Sequence, residues 1–166
     1  NHLLQIVTYL AMEAPSSTWT EAVRDEQAKV LRTIRPLSKA DIVLGQFSGY
    51  LKEKNVAPDS RVPTFVAMRL FVDSWRWNGV PFYVRAGKCL EASKTEIFVD
   101  LKEPPPVVFR ERPQGDNYAK FTLAPNVAID LGASAKRPGE GMKGEQVTLS
   151  VVRGEPQGQG TRLGPY

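Results

Sequence analysis

The 166-residue chain has a single cysteine, Cys89, and a single histidine, His2. One thiol cannot close an internal disulfide, which fits a reducing compartment. One Cys and one His also cannot supply a zinc-ligand spacing, so no metal site is expected. No apolar run approaches the roughly 20 residues that a spanning helix needs, so no membrane role is expected either. There is no basic tail and no run of five Lys or Arg. The 22 basic and 18 acidic residues leave a net charge of +4. Residues 1–83 carry 10 Lys/Arg against 8 Asp/Glu and residues 84–166 carry 12 against 10, so each half is +2. Signs interleaved in this way describe a solvated surface and exclude a concentrated nucleic-acid footprint. The opening Asn1-His2-Leu3-Leu4 has neither an initiator Met nor the basic-then-apolar layout of a signal peptide. The sequence is therefore expected to be part of a longer, cytoplasmic chain.

What is present is an ordinary folded composition, 42% hydrophobic and 24% charged. Leu3, Val7, Leu10 and Ala14 share one helical stripe, beside Leu4, Ile6 and Ala11, until Pro15 interrupts it. Residues 21–35 predict a second helix, with Val23, Val30, Leu31 and Ile34 on one face and Pro36 ending it. Its acidic residues Glu21, Asp25 and Glu26 come first and Arg32 and Arg35 last, as the helix dipole favours. Beyond residue 40 the apolar period changes from 3.6 to 2. Val66, Met68, Leu70 and Val72 fall on one side with Arg69 and Asp73 on the other; Ile97, Val99 and Leu101 alternate with Glu96, Phe98 and Asp100, and the period recurs in Val127, Ile129 and Leu131 and in Val147, Leu149 and Val151. Ile42–Phe47, Phe82–Arg85 and Lys120–Leu123 are shorter strand candidates. The expected fold class is α+β: a largely antiparallel sheet of five or six strands with the leading helices packed on one face.

Gly and Pro concentrate late, with 8 of 13 Pro and 9 of 13 Gly after residue 103. Pro104-Pro105-Pro106 is expected to be a stiff connector, and Gly154–Tyr166 a loop or linker. Gly139-Glu140-Gly141-Met142-Lys143-Gly144 satisfies G-x-G-x-x-G, the spacing of a dinucleotide-binding turn. That turn must open a helix, so that helix-terminal N–H groups meet the pyrophosphate. Glu145–Val152 alternates with period 2 and is rich in Val, so a hairpin loop is expected instead.

The densest segment runs from Asp73 to Lys88. Trp75 and Trp77 flank Arg76, and Asn78-Gly79 suits a tight turn with positive φ. Gly87 is expected to turn the backbone sharply and leave Lys88 projecting, where an ammonium group can meet a phosphate. From the residues alone, a solvated hairpin lysine over packed Trp residues is an equally good description. His2, at the edge of its helical stripe, faces either solvent or a cleft.

Asn1-His2-Leu3-Leu4-Gln5, Arg24-Asp25-Glu26 with Lys29-Val30-Leu31, Leu44-Gly45-Gln46, Thr64-Phe65-Val66-Ala67, Arg76-Trp77 with Gly79-Val80-Pro81-Phe82-Tyr83, Gly87-Lys88 and Thr95-Glu96-Ile97 follow one another in this order. In this the chain resembles glucose-6-phosphate dehydrogenases, over residues 1–153 of the larger part of their C-terminal substrate and dimerisation domain. The family's N-terminal Rossmann NADP domain is not in this sequence. The resemblance implies oxidation of glucose 6-phosphate to the 6-phospho-lactone with NADP, held mainly by that other domain, and a homodimer formed through the sheet. It implies that His2 is the base that takes the C1 hydroxyl proton, oriented by a carboxylate from the other domain. It implies that Lys88 binds the sugar phosphate, with Lys94 as a weaker assistant.

The chain departs from the family pattern at several positions. Pro63 replaces a commonly polar or acidic residue, Ser74 a usual Asn, and Ser93 a Lys or Arg that helps to hold the phosphate. Arg85 and Lys94 resemble part of a second, structural NADP site of animal members, but Phe98 stands where that site has a basic residue. The alternative functional readings are a sheet-based dimerisation or scaffold module without catalysis, favoured by Ser93, and a different anion-binding module.

Overall fold

The computed structural model describes residues 2–102, 115–139 and 141–152. The chain divides into two units, Asn1–Leu90 and Glu91–Tyr166. The class is α+β, as the periodicities predict, but among the described residues the strands number seven and form two separate antiparallel sheets. The Pro104–Pro106 connector and the Gly154–Tyr166 tail lie outside the described residues.

In the first unit, helix α1 covers His2–Ala11 and helix α2 covers Thr20–Thr33. Strands β1 (Ile42–Gly45), β2 (Phe65–Phe71) and β3 (Pro81–Gly87) pair in the order β1-β2-β3. The register sets Met68 opposite Ile42 and Val84, and Leu70 opposite Phe82. Alternate side chains therefore carry Met68, Leu70, Phe82 and Val84 to one face. The helices cover that face. Val7 and Ala11 of α1 and Val30 of α2 are buried with Leu70, Val72 and Phe82, and Leu10, Met12, Met68, Trp77 and Val84 pack around them. α1 has no acidic residue in its first turn, and α2 has Trp19 at its N-cap without a side-chain bond, although Glu21 and Arg32 suit the dipole of α2. Packing of one apolar face stabilises helices this short.

Polar contacts fix how the helices seat. The buried Thr8 hydroxyl donates to the Gln5 carbonyl at 2.8 Å and accepts from Gln27 Nε2 at 3.2 Å, tying α1 to α2. The two tryptophans part company. Trp77 joins the core, edge-on to Phe82 with centroids 5.0 Å apart, and its indole N–H donates to the Ala11 carbonyl at 3.0 Å. That bond satisfies one of the carbonyls that a helix end leaves open. Trp75, one turn residue away, is fully exposed.

In the second unit, β4 (Thr95–Asp100), β5 (Tyr118–Ala124), β6 (Ala128–Lys136) and β7 (Gly144–Val152) form a four-stranded meander in sequence order. The expectation of one sheet backed by helices therefore holds only for the first sheet. Between the two sheets, Cys89 takes a left-handed φ of 54°. Residues 139–144 fall in the β6–β7 hairpin, with Arg137 N–H donating to the Lys143 carbonyl at 2.9 Å and Gly139 at φ 76°. A strand follows, as the period-2 pattern predicts.

Ion pairs stitch the first unit's surface. Arg76 bridges to Glu13, Arg35 to Asp73, and Arg69 to Asp41, with Arg35 and Arg69 both over the Phe71 ring. The Asp41 carboxylate accepts from the Ser38 hydroxyl at 2.5 Å and from Arg69 at 2.8 Å. The Ser38 bonds, foremost, and Arg69 lower its pKa from 3.8 to about 2. A depressed carboxylate pKa means that the folded state prefers the ionised form. The stabilisation is therefore complete above the unfolded value and fades as pH falls toward about 2. Thermal melts of the protein and of Asp41→Asn should differ most near neutrality and converge between pH 4 and pH 2. A gap that stays constant across that range would contradict this account.

Candidate functional site

Of the sequence-derived residues, His2 and Lys88 belong to the first unit and Lys94 to the start of the second. His2 opens α1 and is exposed. Two anchors hold the far end of that helix: the Trp77 bond to Ala11, and Arg76, whose Nε and Nη2 donate to Glu13 at 2.9 and 2.6 Å. Both anchors come from the turn between β2 and β3, where Gly79 takes φ 77° and Val80 N–H donates to the Trp77 carbonyl. At 1.5 Å per residue, a ten-residue helix carries His2 about 15 Å from that turn. Strand β3 leaves the same turn and, at 3.3 Å per residue, carries Lys88 about 20 Å away.

Lys88 is exposed at the exit of β3, as the sequence predicts, and its backbone N–H donates to the Thr64 carbonyl at 2.9 Å. The role expected of Gly87 changes. Its φ lies outside the left-handed region, so the turn does not demand a glycine. Space does. A Cβ at residue 87 would stand 2.8 Å from Phe65 Cδ2 and 3.3 Å from Leu90 Cδ2. The left-handed residue is Cys89, two positions on. Lys94 belongs to the second unit, immediately before β4, and its ammonium pairs with Glu96 at 2.7 Å. His2 and Lys88 thus share one unit, and Lys94 does not.

The G-x-G-x-x-G segment leads into β7, so no helix N-terminus faces it. The residues that the resemblance connects with a second nucleotide are divided. Arg85 is on β3, whereas Phe98 on β4 stacks on Tyr118 with centroids 5.0 Å apart. Among the described residues no group of three or more His, Cys, Asp or Glu could hold a metal ion, and no helix is long and apolar enough to cross a membrane. Two surface hollows, of about 740 Å³ along α2 and about 470 Å³ beside Val43, Ala67 and Tyr83, are lined by none of His2, Lys88 and Lys94.

The sequence quotes Thr64 and Phe65 only as part of a pattern, yet both touch the backbone that carries Lys88. The signal was in the register, since Phe65 lies opposite glycines in both neighbouring strands. Register is visible only once the strands are paired.

A family model described as the C-terminal domain of glucose-6-phosphate dehydrogenase matches residues 1–162. A relative from Arabidopsis thaliana, the cytoplasmic glucose-6-phosphate 1-dehydrogenase 6, is 40% identical over 155 residues, 93% of this chain and 30% of the relative. Chloroplastic forms also match. The crystal structure of the Mycobacterium avium glucose-6-phosphate 1-dehydrogenase is similar with a TM-score of 0.81 and 34% identity, covering 92% of this chain and 34% of that one. A glucose-6-phosphate dehydrogenase in complex with its substrate glucose 6-phosphate gives a TM-score of 0.76 and 38% identity, with 92% and 32% covered. The chain spans about a third of the length of these proteins.

Proposed function

Since the chain belongs to the glucose-6-phosphate dehydrogenase family, through its C-terminal domain, we propose that it is the substrate-binding part of a cytoplasmic enzyme oxidising glucose 6-phosphate to 6-phosphogluconolactone. NADP supplies the hydride acceptor and is held mainly by a part of the protein that this chain does not include. The carrying observation is the placement of His2 and Lys88 at the free ends of two elements that share one anchor, the Trp77 turn.

In this reading His2 accepts the proton of the C1 hydroxyl as C1 is oxidised. An imidazole nitrogen with a free lone pair is suited to accept this proton. Lys88 holds the phosphate at the other end of the sugar. The phosphate takes no part in the chemistry, so its ammonium partner stabilises substrate and transition state alike. Ser93 carries no second cation, which concentrates phosphate affinity on Lys88, with Lys94 assisting.

His2→Asn in the full-length enzyme should lower kcat about 100-fold or more with little change in KM. A variant with near-normal kcat would remove His2 from the base role. Lys88→Ala should raise KM for glucose 6-phosphate about tenfold or more, roughly 1.4 kcal/mol, with KM for NADP nearly unchanged, and Lys94→Ala should do the same more mildly. Equal KM values for the enzyme and Lys88→Ala would reduce Lys88 to a solvated hairpin residue.

The second sheet supports assembly as a homodimer. Ile97, Val99, Ala119, Phe121, Ile129, Leu131, Leu149 and Val151 share one face by register, and Leu149 and Val151 are 62% and 58% exposed. A contiguous apolar face of this kind marks an interaction surface. The paired substitution Leu149→Glu with Val151→Glu should weaken dimerisation about tenfold or more in sedimentation equilibrium. Unchanged association would place the interface elsewhere.

A further inference from the structure

The end of the first sheet that releases Lys88 is built around one aromatic ring. Phe65 is paired with Gly45 of β1 on one side and with Gly87 of β3 on the other. Its ring lies over both glycines: a Cβ at residue 45 would stand 3.8 Å from Cδ1, and one at residue 87 only 2.8 Å from Cδ2. An aromatic side chain seated on cross-strand glycines fills the room that they leave and pins the register there. Leu90 closes on Gly87 as well, at 3.3 Å.

Thr64, the preceding residue, ties the three strand ends together. Its N–H donates to the Gly45 carbonyl at 2.8 Å, its hydroxyl accepts from Phe47 N–H at 2.9 Å, and its carbonyl accepts from Lys88 N–H at 2.9 Å. Beyond Lys88 the chain turns at once through Cys89, at φ 54°. The lysine backbone is therefore bracketed by a packed glycine before it and a turn after it, and held across at Thr64. A lysine side chain has four rotatable bonds and little direction of its own, so its reach is set by where its backbone points.

We propose that Phe65 is a positioning residue for Lys88: its ring, seated on Gly87, sets the direction in which the lysine leaves the sheet. The proposal rests on the reading of Lys88 as the phosphate ligand. Phe65 touches no substrate in it and acts through the backbone of residues 87 and 88.

The test is a double-mutant cycle in the full-length enzyme, read as KM for glucose 6-phosphate against KM for NADP. Gly87→Ala drives a methyl group into the Phe65 ring and should raise the first about fivefold or more while leaving the second unchanged. Adding Phe65→Leu makes room for that methyl and should return KM to within about twofold of the Phe65→Leu enzyme. In the Lys88→Ala background, Gly87→Ala should raise KM by less than about twofold, because nothing remains to be positioned. Should Gly87→Ala prevent folding, Phe65→Leu alone, expected to raise KM about threefold, is taken through the same Lys88→Ala comparison. An equal rise in KM with and without Lys88, or a loss of melting temperature with no change in KM, would overturn the proposal and leave Phe65 a packing residue. If Lys88→Ala itself leaves KM unchanged, the phosphate-ligand reading falls and the positioning role falls with it. A large effect of Lys88→Ala beside unchanged KM values for Gly87→Ala and Phe65→Leu would overturn the positioning role alone.

Discussion

Trp77 holds the first unit together at the point where its two layers meet. Its ring packs edge-on against Phe82 in the sheet, and its indole N–H closes on the last carbonyl of α1. Buried tryptophan supplies a large apolar area and one donor that must find an acceptor. Here the acceptor is a helix end that would otherwise be open. The same side chain thus closes the core and fixes one end of α1, with Arg76 and Glu13 adding a second tie from the same turn. Without that anchor, the position of the helix N-terminus, and of His2 with it, would rest on Val7, Ala11 and the Thr8–Gln27 bond alone.

The two sheets solve the covering of an apolar face differently. In the first, Leu70, Val72 and Phe82 disappear beneath two amphipathic helices. In the second, the described residues include no helix, and Leu149 and Val151 stay open although their alternation is as regular. Its other face is self-sufficient: Phe98 stacks on Tyr118, and Asp130 accepts from the Ser150 hydroxyl and pairs with Lys120. Asp130 is held below its ordinary pKa by the Ser150 bond first and Lys120 after it.

Chemically, the first unit offers a spare design. The His2 imidazole and the Lys88 ammonium stand at the ends of a helix that is anchored at, and a strand that leaves, one common turn. Rigid elements hold functional groups more closely than loops do. The ring of Phe65 and the hydrogen bonds of Thr64 extend that rigidity one residue past the end of β3, to the lysine itself.

Both helices and four of the strands, β2, β4, β6 and β7, were legible from period, because a half-buried element writes its covered face into the sequence at intervals of 2 or 3.6. β1, β3 and β5 showed only as short candidates, and five or six strands were expected where the described residues hold seven. The hairpin at Gly139–Gly144 was legible for the same reason, since Glu145–Val152 alternates. So was the exit of Lys88 from a strand. Three things were not. The division into two sheets depends on which edges pair, and alternation records only which side of a strand is apolar. The fates of Trp75 and Trp77 differ because a two-residue shift in a turn, which has no period, decides whether a ring meets the core. The need for Gly87 comes from a ring 22 positions earlier, brought opposite it by register. The sequence by itself determined the elements and which face of each is apolar. Tertiary structure alone decided which of those faces are covered and what holds Lys88 in place, since both depend on contacts between residues far apart in the chain.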